Sequence, residues 1–153
     1  MALRILTEMQ LSLLNQMLKK GLINNEFEHL MISKRAQDHV SVVETIKEYC
    51  AEVEAILSQM RNDIATPDVE FSHLVASCDL VKNKSRRIGC ELVISTCMLL
   101  IGACDQRNKK KFSQTLELLN NDFSTTQSQL ETYTWLERRI INVQIDQAES
   151  SGF

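Results

Sequence analysis

The sequence is poor in the residues that interrupt regular structure. Its 153 residues include one proline and four glycines, and aromatic residues make up 5% of the chain. Leu, Ile, Glu, Lys, Gln and Met are frequent instead, which is typical of long helices and unfavourable to many short strands. We therefore predict an all-α protein. Its length and its 44% hydrophobic content suit one buried core, in a single domain over 1–153.

Long apolar runs are also missing. A run such as MLLIGAC at 98–104 is far shorter than the ~18 residues that a membrane-spanning helix needs. No basic N-terminal segment precedes an apolar core and a cleavage site. The sequence therefore predicts a soluble, intracellular protein with no membrane partner.

The cysteines lack the spacing of a metal site or a redox pair. They lie at 50, 78, 90, 97 and 104, with no C-x-x-C pair and no histidine at ligand spacing. Cys90, Cys97 and Cys104 recur every seven residues within an apolar helical pattern. We therefore expect buried, unpaired thiols in a reduced compartment, with no bound metal and no cofactor.

The charge is weakly acidic and uneven. Residues 1–70 hold 7 Lys/Arg and 11 Asp/Glu, a balance of −4, and residues 71–153 hold 10 and 9, a balance of +1. Two basic clusters stand out, KNKSRR at 82–87 and RNKKK at 107–111. Basic islands on an acidic chain suit an acidic protein partner better than a polyanion, so nucleic acid is not an expected partner.

The spacing of apolar residues predicts about six helices. The predicted segments are 3–20, 24–33 with Asn25 as its cap, 39–60, 69–85, 88–105 and a long helix from about Lys110. Pro67 makes 62–68 the main connection. Because short connections favour antiparallel neighbours, helices three to six predict an antiparallel four-helix bundle with two additional N-terminal helices packed over it. The tail 143–153 is expected to fray.

Apolar stripes predict which side of each helix is buried. The third helix has the most regular stripe, with Val42, Val43, Ile46, Tyr49, Cys50, Val53, Ile56, Leu57 and Met60. The predicted buried set of the fifth helix is Ile88, Val93, Ile94, Cys97, Met98, Ile101 and Cys104. The predicted stripe of the sixth is Phe112, Leu116, Leu119, Phe123, Leu130, Tyr133, Leu136 and Ile140.

Motifs of catalysis are mostly absent. The sequence has no Gly-rich phosphate loop, no G-x-S-x-G and no H-E-x-x-H. His29, His39 and His73 are scattered, so we expect surface or boundary positions for them. We therefore predict a protein that is not an enzyme.

Asp79 stands where the apolar pattern of the fourth helix meets the first basic cluster. At 100° per residue it falls about 90° from the centre of the apolar side, so we expect it to be partly exposed. Lys82, Asn83 and Arg86 follow at i+3, i+4 and i+7 and should lie beside it on one ridge. By itself, this pattern is typical of a solvated ion pair of a few tenths of a kcal/mol.

Three stretches follow the pattern of one known family. GLINNEFEHL at 21–30 loosely follows G-x-L-D-x-Q-F-x-x-L, and LETYTWLERRI at 130–140 is similar to L-E-x-x-F-x-L-E-x-x-I. DLVKNKSRRIG at 79–89 aligns without gaps to the central H-Q-x-K-G-S-S-x-S-I-G. The chain therefore resembles plant histidine-containing phosphotransfer (HPt) proteins, the shuttles of two-component phosphorelays such as cytokinin signalling, over nearly its whole length.

Within the central motif, the most diagnostic residue differs. Asp79 takes the place of the phospho-accepting histidine, Leu80 that of the glutamine and Asn83 that of the glycine. The residues that are kept are Lys82, Ser85, Ile88 and Gly89. A carboxylate is a poorer phosphoryl carrier than an imidazole, because it is already negative and would repel both the phosphoryl group and the aspartates of a receiver.

The resemblance therefore implies a pseudo-HPt protein without a catalytic residue. Such a protein binds the receiver domains of hybrid histidine kinases and response regulators, and it competes with active shuttles as a negative regulator. The implied receiver-binding residues are Asp79, Lys82, Asn83, Lys84 and Arg86. The resemblance also implies a monomer in the cytoplasm and the nucleus.

Two other hypotheses stay open. One is an active phosphotransfer protein that uses Asp79 or another non-histidine acceptor, which the retention of Lys82 supports. The other is a helical scaffold that has lost receiver binding. Asn83 favours the scaffold, because glycine at this position would let a partner's backbone approach more closely.

Overall fold

Six helices make up the regular structure of this protein. The computed structural model describes residues 1–151, and within this range it contains no β-strand. The helices are α1 (Ala2–Lys19), α2 (Asn25–Gln37), α3 (His39–Ile64), α4 (Phe71–Ile88), α5 (Glu91–Asp105) and α6 (Lys109–Ser151). The prediction of an all-α protein is confirmed.

Helices α3 to α6 form an antiparallel bundle. Each of them packs against its neighbours, α3 on α4 and α6, and α5 on α4 and α6. The N-terminal pair covers this bundle, with α1 along the second half of α6 and α2 across α3 and α4. The predicted architecture, a four-helix bundle with two additional N-terminal helices, is confirmed.

The apolar stripes form one continuous core. All eight predicted stripe residues of α6 are buried, and so are those of α3 except Ile56, which is partly buried. Large side chains from α2 and α6, such as Phe27 and Phe112, are fully enclosed. Each such side chain contributes about 1.5 to 3 kcal/mol relative to leaving it in water, so these stripes hold the bundle together.

Several helix boundaries differ from the predicted ones. The cap of α2 is Asn24 and not Asn25, because Asn24 has an extended backbone and its side chain accepts a hydrogen bond from the Glu26 amide at 3.0 Å. Helix α2 also continues to Gln37, and α3 continues to Ile64. The connection before α4 is therefore 65–70 and not 62–68.

The turn between α4 and α5 was also predicted too early. Helix α4 runs to Ile88, so this residue closes α4 and does not open α5. Gly89 ends the helix in the left-handed conformation with φ of +83°.

The predicted burial of Met98 was wrong, because its side chain is 56% exposed. It lies about 100° round the helix from the buried Cys97, and this angle turns it away from the core.

The C-terminal segment remains helical in the described residues. Helix α6 continues to Ser151, well past Ile140, the last residue of its buried stripe. The side chains at 145–150 are exposed. The fraying of 143–153 stays a prediction, and its last two residues, 152 and 153, lie outside the described range.

All five cysteines are buried and free. Burial raises the pKa of Cys90 and Cys97 to about 12 and that of Cys104 to about 11. The expectation of buried, unpaired thiols is confirmed. Among the helices described, none combines the length and the apolar character needed to cross a membrane.

Candidate functional site

One side of α4 is exposed along its length. Leu74, Cys78 and Val81 point into the core, as do Ser85 and Ile88. The opposite side, which we call the α4 outward face, consists of Ala76, Asp79, Leu80, Asn83, Arg86 and Arg87. It presents one acid, one amide and two cations next to the exposed apolar side chain of Leu80.

Asp79 forms an ion pair at the border of this face. The Nζ of Lys82 lies 3.1 Å from Oδ1 of Asp79, and the two side chains are 20% and 47% exposed, respectively. The prediction that Asp79 is partly exposed and within reach of Lys82 is confirmed. Lys82 is the less exposed partner, so it is held at the edge of the face while the carboxylate remains open to solvent.

The ion pair lies next to α5. Burial raises the pKa of the Cys97 thiol to about 12. Two nearby charges have smaller effects: Lys82 lowers this pKa and Asp79 raises it. Cys97 belongs to the buried side of α5. The Asp79–Lys82 pair therefore lies near the side of α4 that packs on α5.

The structure does not bring Lys84 to the α4 outward face. Its Nζ lies 2.7 Å from Oε2 of Glu52 on α3, on the other flank of α4. Five helical positions separate Lys84 from Asp79 and place it about 140° round the axis. Of the predicted receiver-binding residues, Asp79, Asn83 and Arg86 share the outward face, Lys82 borders it and Lys84 points towards α3.

The retained residues of the central motif are mostly structural. Ser85 is fully buried, and its Oγ lies 2.7 Å from the Tyr49 hydroxyl in a hydrogen bond between α4 and α3. Ile88 and Gly89 are also buried. Lys82 is therefore the one retained residue of this motif that lies beside Asp79 and reaches solvent.

Gly89 joins two of the motifs in space. A Cβ at this position would lie 2.4 Å from the amide nitrogen of Phe27 and 2.6 Å from Oδ1 of Asn24, so no larger residue fits. The Asn24 amide donates a hydrogen bond to the Gly89 carbonyl at 2.9 Å. The start of α2 is thereby fixed against the end of α4.

A buried polar cluster, which we call the Glu137 cluster, fastens the N-terminal helices to the bundle. Its members are Gln10, Arg35, His39, Tyr133 and Glu137, from α1, α2, α3 and α6. The fully buried Glu137 carboxylate accepts hydrogen bonds from Arg35 at 2.5 Å and from Gln10 at 2.9 Å, and it contacts the His39 ring. Arg35 also donates to the Tyr133 hydroxyl at 3.0 Å.

The pKa of Glu137 reflects these partners. Burial alone would raise it, but the hydrogen bonds from Arg35, His39 and Gln10 outweigh burial and lower it overall. Sequence reasoning did not identify this residue as important. The available signal was an acid between the apolar residues Leu136 and Ile140 of a buried stripe, because a buried acid requires partners.

The histidines do not assemble a metal site within the described residues, where no group of three or more His, Cys, Asp or Glu is positioned to hold an ion. His39 is partly buried in the Glu137 cluster. His73 is 60% exposed, and its Nε2 lies 3.5 Å from Oδ2 of Asp63. The expected surface or boundary positions are confirmed for these two.

Comparison with known proteins gives consistent matches. The chain is 28% identical to histidine-containing phosphotransfer protein 1 of rice (Oryza sativa subsp. japonica) over 92% of its own length and 95% of the relative's. It is 25% identical to histidine-containing phosphotransfer protein 2 of the same organism over the same shares. No family model matches the sequence.

Solved structures agree with the sequence relatives. A rice histidine-containing phosphotransfer protein superposes with a TM-score of 0.86 at 24% identity, covering 92% of this chain and 99% of that one. A maize protein of the same description gives a TM-score of 0.83 at 25% identity, covering 88% and 99%.

The fold is therefore that of an HPt protein. In sequence, the chain is similar to two rice HPt proteins over nearly its whole length.

Proposed function

We propose that this protein is a pseudo-HPt protein that binds receiver domains and carries no phosphoryl group itself. One observation supports this above all: Asp79, which the motif resemblance aligns with the phospho-accepting histidine, is half exposed on α4 and paired with Lys82. HPt proteins act as carriers and not as enzymes. A chain that keeps the fold and loses the acceptor is therefore a binding module.

The chemistry of Asp79 argues against a carrier role. An imidazole nitrogen is nucleophilic near neutral pH and can be neutral when it attacks a phosphoryl group. The Asp79 carboxylate is negative at this pH and would repel the incoming phosphoryl group. Lys82 reduces this repulsion, but it does not supply a nucleophile.

The α4 outward face suits a receiver as a partner. The phosphorylation site of a receiver is rich in aspartate, and Arg86 and Arg87 offer two exposed cations that can attract it. Leu80 adds an apolar contact of the kind found in the core of protein interfaces. We infer that receivers of hybrid histidine kinases and response regulators dock here, on a monomer in the cytoplasm and the nucleus.

By occupying receivers, the protein would dampen a cytokinin-type phosphorelay. An active shuttle must reach the same receiver surface, so the two compete for it. The scaffold hypothesis makes the opposite prediction, because the exposed Asn83 side chain would then prevent docking. Binding to receivers distinguishes the two.

The first test is phosphoryl labelling. Incubated with a phosphorylated receiver, the wild-type protein should acquire no stable label, while it should slow the labelling of an active HPt protein in the same mixture. Efficient labelling of the wild type would establish the active-carrier hypothesis in place of this proposal. Absence of both labelling and inhibition would favour the scaffold.

Charge reversal then locates the docking surface. Arg86→Glu with Arg87→Glu should weaken the inhibition and reduce its dependence on salt, because the attraction to an acidic receiver site is removed. These two residues are better targets than Lys82 or Lys84, whose ion pairs lie within the protein. Lys19→Glu with Lys20→Glu changes the net charge equally at the exposed end of α1, outside both basic clusters, and serves as the control.

A further inference from the structure

The side chain of Asp79 faces outward from α4. Its carboxylate is exposed on the α4 outward face, whereas its partner Lys82 lies mostly covered at the border with α5. A docked partner therefore meets the carboxylate more directly than the ammonium. A histidine at this position would instead present a ring that is neutral or positive.

This charge has a different effect on the two states of a receiver. If receivers dock on the α4 outward face, as proposed above, position 79 faces their phosphorylation site. A phosphoryl group carries a charge of about −1.5 to −2, and on an aspartate it replaces a carboxylate charge, so it adds at most about one negative charge. At a separation of about 6 Å, the repulsion between this added charge and a carboxylate corresponds to about a threefold change in Kd at the dielectric constant of water.

The unphosphorylated state lacks this repulsion. Its clustered carboxylates bind divalent cations such as Mg²⁺. With the cation in place, the Asp79 carboxylate approaches a site whose negative charge is largely compensated. Arg86 and Arg87 retain their attraction to the remaining acids at the rim of that site.

We infer that Asp79 makes this protein selective for unphosphorylated receivers. This inference rests on the proposed function and adds the state of the partner to it. Asp79 is a specificity residue in this scheme, because it rejects the phosphorylated form and is not an acceptor. The protein would then block receivers that await a phosphoryl group and leave phosphorylated receivers free to donate theirs.

The test compares two states of one receiver domain. The full chain is titrated by calorimetry into the receiver with Mg²⁺ alone, and into the same receiver with Mg²⁺ and beryllium fluoride, which imitates the phosphoryl group. We expect the wild type to bind the beryllium fluoride form about threefold more weakly. Removing Mg²⁺ from the unmodified receiver should also weaken binding, because the acids then face Asp79 without compensation.

Two variants test whether the charge of Asp79 causes the difference in affinity between the two receiver forms. Asp79→Asn keeps the shape of the side chain and removes the charge, so its affinities for the two forms should differ by less than about twofold. Glu117→Gln removes one negative charge from an exposed position on α6 and should keep the wild-type ratio. Circular dichroism of each variant checks that the helices are intact.

The outcomes separate the two proposals. Equal affinity of the wild type for both receiver forms would refute the selectivity and leave receiver binding in place. A wild-type ratio that persists in Asp79→Asn would also refute it, since the discrimination would then come from another residue. No binding to either form would refute the proposed function itself.

Discussion

Arg35→Met removes the cation that compensates Glu137, a carboxylate with no exposed surface. In the wild type, Arg35 Nη2 lies 2.5 Å from Glu137 Oε1 and 3.0 Å from the Tyr133 hydroxyl. Removing one partner of a buried ion pair typically costs about 3 to 5 kcal/mol, because the other charge is left without compensation. Since His39 and Gln10 still contact Glu137, we expect a loss near the lower limit, about 3 kcal/mol.

The assay is urea unfolding at neutral pH, followed by far-ultraviolet circular dichroism. A domain of this size is stable by about 5 to 15 kcal/mol, so the expected loss shifts the midpoint strongly without preventing folding. Arg35→Met with Glu137→Met should recover part of the loss, because no charge is then buried alone. A loss below about 1 kcal/mol in Arg35→Met would refute the role assigned to the pair.

The pH dependence of the free energy of unfolding gives an independent check on the direction of the pKa shift of Glu137. The pKa of Glu137 in the folded protein lies below its ordinary value, so the unfolded chain binds the proton more tightly. This stabilisation is therefore fully present above about pH 4.3, and it is lost as the pH falls through the lowered folded pKa. In Arg35→Met the pKa of Glu137 should rise, and the loss of stability in acid should become shallower. If the stability of Arg35→Met fell with decreasing pH as steeply as that of the wild type, the role assigned to Arg35 would be contradicted.

Two further predictions concern the packing of the fold. Gly89→Ala should destabilise the protein by about 3 kcal/mol or prevent folding, because it combines a left-handed backbone with a Cβ 2.4 Å from the Phe27 amide. Gly21→Ala, with φ of +73° and nothing within 4 Å, should cost only about 1 kcal/mol in the same urea assay, and equal losses would contradict the clash. A thiol reagent at pH 7 should label none of the five cysteines until urea unfolds the chain, since all are buried and the pKa of each thiol is raised. Fast labelling in the native state would refute their burial.

The helical architecture could be predicted because local patterns determine it. The apolar stripes of α3 and α6 have the period of a helix, and their predicted residues are buried with Ile56 the one partial case. The exposed position of Asp79 followed from the same geometry. The same geometry would also have excluded Lys84 from the predicted receiver-binding residues, because a separation of five residues from Asp79 turns it to the other flank of α4.

Other features depend on contacts between distant segments. Asn24 and Asn25 are equally good caps by residue type, and the choice is made by a hydrogen bond from Asn24 to Gly89, more than sixty positions along the chain. The partners of Glu137 come from three other helices. No periodicity within α6 can identify such partners, so sequence patterns reveal at most that an acid lies in an apolar stripe.

The residues of the central motif at 79–89 fall into two groups, one that is buried and one that reaches solvent. Ser85, Ile88 and Gly89 are buried and hold α4 against α3 and α2. Substitutions at these positions would therefore destabilise the fold. Asp79 and Asn83 reach solvent, and neither side chain fills the core. The residue at position 79 can therefore change without a change in the fold. What such a surface then recognises is determined by its charges, which is why the Asp79 carboxylate, and not the bundle, is expected to decide which state of a receiver is bound.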